Sequence, residues 1–250
     1  MSLAARLARA GSAAVSFAAG VLMLVMLVFG GFALWQDAAV SRGAFAGSDL
    51  LQYKPAELTA DNPTLADLQA VNPDVCGWLT VDGTNIDYPV VQGATNMDYI
   101  NRDVYGEFSL SGSVFLDSRN AADLSDAYSI LYGHHMENGA MFGDITKFCE
   151  KDYFDAHPTG SLSLPGAAYG IEFFACLKAD AYDAVLYTPD APDLQPLLDY
   201  AAAHAVQRRD IGVTDRDKLA ALSTCAGAET NGRIVLLGRL RPVQEGDESE

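Results

Sequence analysis

Leu219-Ala220-Ala221-Leu222-Ser223-Thr224-Cys225, followed after a short break by Arg233-Ile234-Val235-Leu236-Leu237-Gly238-Arg239-Leu240, decides how this chain is read. Both runs are apolar and of strand length, and the stretch between them holds Gly227, Asn231 and Gly232, residue types that turn a backbone. The pattern predicts antiparallel strands joined by a turn, so that one strand ends on a thiol and the next begins on a guanidinium. Upstream, Tyr128-Ser129-Ile130-Leu131-Tyr132 has strand character and leads into Gly133-His134-His135, where glycine lets the chain bend and expose an imidazole. Thiol, imidazole and guanidinium thus stand at strand ends, and Cys225, His134 and Arg233 become the candidate catalytic residues.

Outward from these runs the short-strand pattern continues. Cys76–Val81 and Ile86–Val91 are separated by an Asp82-Gly83 turn signal, and further strands are predicted at Ser113–Leu116, Ser161–Leu164 and Ile171–Leu177. Many short strands with long connections imply a mainly β domain, a barrel or a sandwich. Helical spacing runs from Pro55 to Val71, with an Asn62-Pro63-Thr64 start signal, and recurs over Leu194–His204, where Pro196 is tolerable in the first turns.

The N-terminal part has a different character. From Ala10 to Gln36 there is no charged residue. As a helix this stretch spans about 40 Å, against a hydrocarbon core of about 30 Å. Its length favours a retained anchor over a cleaved secretory signal. Arg6 and Arg9 would be held in the cytoplasm by the positive-inside bias, sending the chain beyond Trp35 outward. The expected organisation is a cytoplasmic segment over residues 1–9, a single transmembrane anchor over 10–36, a juxtamembrane stalk and helical extension over 37–67, a catalytic domain over 68–243 and an acidic tail over 244–250.

A formal net charge of -17 argues against nucleic acid and anionic lipid surfaces as partners. Cys76, Cys149, Cys176 and Cys225 could form disulfides in an oxidising compartment, and spacing does not exclude this for Cys225. Its place beside a basic residue suits a thiolate better, whereas the other three lie among apolar or aromatic neighbours and are expected to be buried thiols. His134 and His135 point opposite ways on an extended chain, and His134, directly after Gly133, is taken as the one facing the thiol. His157 and His204 suit surface or capping roles. No Cys-x-x-Cys or second histidine pair at zinc-like spacing occurs, so neither metal nor cofactor is expected. Met136, Met141 and Phe142 suit the core, or the apolar wall of a peptide groove.

At these residues the chain resembles the sortases, and among them class B. The resemblance is carried by Asn72-Pro73-Asp74-Val75-Cys76-Gly77-Trp78-Leu79, Ile86-Asp87-Tyr88-Pro89-Val90-Val91-Gln92-Gly93, Tyr132-Gly133-His134-His135-Met136 with Gly139 and Met141-Phe142, and Leu222-Ser223-Thr224-Cys225 with Arg233. It extends from about Leu68 to Val243 in family order. It implies an eight-stranded β-barrel with an N-terminal helical extension and a helix in the connection before the cysteine strand. It also implies a membrane-anchored cysteine transpeptidase that cuts secreted proteins at a C-terminal LPxTG-like sorting signal. The acyl group then passes to an amine of a peptidoglycan precursor or a pilin subunit. On that pattern Cys225 is the nucleophile, His134 the proton carrier and Arg233 the group that steadies peptide and oxyanion, while Ser223 and Thr224 shape the site. Two other readings of the same residues are a thiol hydrolase with water as acceptor, and a non-catalytic membrane-tethered binding module with Cys225 as a half-cystine.

Overall fold

The computed structural model describes residues 3–225 and 231–243 and divides the chain into two units, residues 1–42 and 43–250. The first consists of helix α1, Leu3–Gly43, which runs to the start of the second unit. Its segment Gly11–Gln36 is long and apolar enough to cross a membrane and none of it is buried, which fits a single-pass anchor. The helix continues past Gln36 through part of the stretch expected to be a stalk.

In the second unit, a four-residue helix α2, Ser48–Leu51, and helix α3, Pro63–Val71, lead to strands β1, Val75–Val81, β2, Asp87–Val91, β3, Val114–Leu116, and β4, Tyr128–Tyr132. A 3-10 helix, Gly143–Cys149, and helix α4, Lys151–Ala156, precede β5, Thr159–Leu164, and the long β6, Ala167–Asp180. Helix α5, Gln195–His204, and the short strand β7, Ala205–Arg208, are followed by β8, Lys218–Cys225, and β9, Gly232–Pro242. The sheet order is β5-β1-β2-β3-β4-β8-β9-β6, and pairing of β5 with β6 closes these eight strands into a barrel. β7 adds to β6 outside that closed circuit. Helix α5 is the helix expected in the connection before the cysteine strand.

The near-continuous apolar runs of β8 and β9 follow from burial on both faces. Ala220, Leu222, Ile234 and Leu236 point into the barrel, against Leu79, Val90 and Phe142. Leu219, Ala221, Val235 and Leu237 point outward and are covered by Leu194, Leu197 and Ala201 of the α5 region. β1 alternates likewise, with Leu79 inside and Trp78 outside beneath Leu65 and Leu68 of α3.

Two elements differ from the sequence expectation. The helical spacing read from Pro55 to Val71 is realised as α3 only from the Asn62-Pro63-Thr64 start signal onward, because proline lacks the amide a helix interior needs and disfavours helical geometry in the residue before it. Asn62 is used elsewhere, its Nδ2 donating to Thr59 O at 2.7 Å and Leu164 O at 2.9 Å, which ties the helix start to the end of β5. β7 carries no apolar run, since it is a short outer strand whose residues are partly or fully exposed.

Candidate active site

β4 and β8 lie side by side and run parallel, pairing Tyr128 with Leu219 and Tyr132 with Ser223. Both therefore leave the barrel at the same end. Gly133 N donates to Ser223 O at 3.3 Å, which carries the ladder one residue further and delivers His134 beside the end of β8. β8 and β9 are antiparallel, and the pairing ends with Cys225 opposite Arg233. The expected juxtaposition of these two positions thus holds in the backbone. The Cys225 side chain and residues 226–230, including the turn residue Gly227, lie outside the described residues, as does the acidic tail 244–250.

Around this end of the barrel opens a groove of about 370 Å³. Of the residues singled out in the sequence, His134, Arg233, Ser223 and Thr224 line it. Met136, Met141 and Phe142 do not: Met141 and Phe142 are core residues, and Met136 packs partly buried against the same core. They stand behind the histidine loop. His135 turns aside and forms an isolated bridge with Met141. His157 stacks on Tyr153 and His204 lies against Tyr200, both away from the groove.

His134 is fixed by its own backbone and by a carbonyl. Its Nε2 lies 2.8 Å from Ile100 O; a carbonyl only accepts, so Nε2 carries the hydrogen and Nδ1 of the neutral ring keeps its lone pair. Phe142 N donates to His134 O at 2.9 Å, closing the loop, while Gly139 supplies the positive φ of 83° that the turn requires. Gly133 has no room for a side chain, since a methyl there would sit 2.6 Å from the Phe142 ring. Gly133→Ala is expected to destabilise the fold by about 1–3 kcal/mol, by forcing the ring aside. Thermal melting of the variant beside the unaltered protein checks this.

Arg233 donates from Nη1 to Gly232 O at 3.0 Å and is one of the residues lining the groove. Other lining residues were not singled out in the sequence. Tyr187 OH lies 2.9 Å from Ser223 Oγ, and its ring stacks on that of Tyr132 with centroids 6.4 Å apart. Tyr132 OH donates to Asp117 Oδ2 at 2.9 Å. Asp117 is wholly buried and also accepts from Arg119 Nε at 2.9 Å, Arg119 Nη2 at 2.8 Å and Asn96 Nδ2 at 3.1 Å. This carboxylate is the hub that orients Tyr132, Arg119 and Asn96, all three of which line the groove.

Burial works against charge on Asp117, but the hydrogen bonds, led by those from Arg119, outweigh it and hold its pKa below the usual carboxylate value. Because the folded value is depressed, the stabilisation is present above the unfolded value of about 3.9 and is lost as pH falls through the folded one. Asp117→Ala should cost about 2–3 kcal/mol at neutral pH, toward the lower end because Arg119 is half exposed. Urea unfolding should show the gap from the unaltered protein narrowing below about pH 4.

No family model matches the chain. Among curated proteins it is 36% identical over 180 residues to Sortase B of Listeria monocytogenes, covering 70% of this chain and 73% of that one. It is 30% identical over 229 residues to Sortase B of Staphylococcus aureus, covering 88% and 94%. The crystal structure of Spy0129, a Streptococcus pyogenes class B sortase involved in pilus biogenesis, superposes with a TM-score of 0.65 at 43% identity, covering 70% of this chain and 97% of that one. Agreement of this extent means that the chain belongs to the class B sortases and is a cysteine transpeptidase.

Proposed function

We propose that the chain cleaves secreted proteins at a C-terminal LPxTG-like sorting signal and transfers the acyl part to an amine through a thioester on Cys225. The observation that carries this reading is the parallel register of β4 and β8, which brings the His134 loop to the strand end where Cys225 faces Arg233. The Cys225 thiolate attacks the carbonyl carbon of the scissile bond, and the Arg233 guanidinium holds the oxygen as it becomes negative. Collapse breaks the C–N bond, with protonated His134 giving its proton to the leaving amine. The now neutral imidazole takes a proton from the incoming amine, whose nitrogen attacks the thioester and expels the thiolate. Ser223 and Thr224 shape the groove, and Met136, Met141 and Phe142 support the histidine loop from behind.

Residues 1–9 lie in the cytoplasm in this reading, residues 10–36 anchor the chain, and the 68–243 domain works outside the membrane, following a 37–67 extension. The acceptor is a peptidoglycan-precursor amine or a pilin lysine. Involvement of the 43% identical Streptococcus pyogenes relative in pilus biogenesis favours the lysine.

The test is to incubate the full chain in detergent micelles with LPxTG-like peptides and to follow Cys225 by mass spectrometry, with and without amines. An acyl adduct that moves to the amine is expected. Release of free acid with every amine tried would replace transfer by hydrolysis, and absence of any adduct would remove the sorting-signal assignment.

A further inference from the structure

Away from the groove, two thiols face one another. Cys149 ends the 3-10 helix that follows the histidine loop, and Cys176 lies in the middle of β6, fully buried. Their sulfur atoms are 3.9 Å apart. A disulfide requires about 2.05 Å, so bond formation asks for an approach of about 2 Å, within reach of a side-chain rotation.

The surrounding backbone already holds the two residues together. Gln207 is the ladder partner of Cys176, and its Nε2 donates to Cys149 O at 2.8 Å. Access is asymmetric: Cys149 is half-buried, so a reagent can reach it, whereas Cys176 is fully buried. Cys149 is also the better nucleophile. Its hydrogen bond with Cys176 lowers its pKa, with the Lys178 charge assisting, while the same hydrogen bond and burial raise that of Cys176. Cys76 differs: its thiol donates to Val90 O at 3.5 Å and burial pushes it up to about 12, leaving it inert.

We propose that Cys149 and Cys176 are a reversible redox site, closing to a disulfide that staples the segment behind the His134 loop to β6. The oxidant is a second disulfide, either a small molecule or a dithiol oxidoreductase. The Cys149 thiolate attacks one of its sulfurs, its S–S bond breaks, and one thiolate leaves and is protonated. Cys176 then gives up its proton and attacks the Cys149 sulfur of the mixed disulfide, expelling the second thiol. Two protein thiols are oxidised to one disulfide, and the incoming disulfide is reduced to two thiols. This site is independent of the roles assigned to Cys225, His134 and Arg233.

The experiment equilibrates the full chain in detergent micelles with mixtures of reduced and oxidised glutathione, blocks remaining thiols with N-ethylmaleimide and maps the peptides by mass. A peptide pair joined through Cys149 and Cys176 is expected in the oxidised samples and is lost on reduction. The oxidised protein should melt about 5–10 °C above the reduced one. A Cys176→Ser variant should stop at glutathione on Cys149, because the resolving thiol is gone. N-ethylmaleimide on both residues after full oxidation would overturn the proposal, as would glutathione persisting on Cys149 of the unaltered chain or a bridge from either residue to Cys76 or Cys225.

Discussion

Replacing Cys225 by alanine is expected to lower acyl transfer by about 10⁴-fold or more, with no covalent adduct on any peptide. The magnitude follows from the proposed route, in which every turnover passes through the sulfur and neither neighbour can substitute for it. His134 has no acyl intermediate assigned to it, and Arg233 is a cation at every working pH. Folding should be nearly untouched, since Cys225 ends β8 and the ladder to Arg233 is made by backbone atoms. Far-ultraviolet circular dichroism and peptide binding on the alanine variant separate lost chemistry from lost structure. Peptide that still binds without reacting supports the nucleophile assignment. Undiminished transfer would end it.

His134→Ala should reduce transfer by about 10³-fold, within the usual range for a positioned acid–base group. Because one imidazole is assigned the protonation of the first leaving amine and the deprotonation of the second amine, both halves of the reaction should slow. A merely structural role would instead show as a lower melting temperature with normal single-turnover rates. His134 Nε2 is bonded to Ile100 O, so the substitution also releases the β2–β3 connection at one point. Stability should therefore fall slightly, by about 1 kcal/mol. The diagnostic readout is the bell-shaped pH dependence of kcat/KM, which should lose the limb belonging to the imidazole. Retention of both limbs would move the proton carrier elsewhere.

Much of the barrel is readable along the chain because strand identity is a local property. β4, β8 and β9 announce themselves by runs of apolar residues, and Gly133 marks where the first of these must bend. Their pairing is less local. The antiparallel meeting of Cys225 and Arg233 needs only a short turn, so it is visible in the residues themselves. The parallel pairing of β4 with β8 spans a connection holding two strands of the barrel wall, and no spacing rule announces it. The Asp117 hub is similarly hidden. Asp117 follows β3, Asn96 comes from the β2–β3 connection and Tyr187 from the β6–α5 connection, so their shared groove exists only after the barrel closes. The Met141 and Phe142 positions show the opposite limit. Apolar residues beside a functional loop suit wall and core equally by type, and here the core takes them because Gly133 packs directly on the Phe142 ring.

The amino-acid sequence by itself determined the membrane-length apolar segment, the mainly β character and the family, and it marked Cys225, His134 and Arg233 as candidates. These rest on residue type and short spacings, which act over a few positions of chain. Only the tertiary structure decided that a buried carboxylate orients Tyr132, Arg119 and Asn96 in the groove, and that Cys149 meets Cys176. Each of those depends on which strands become neighbours when the sheet closes on itself, a choice made by burying both faces of the barrel wall at once.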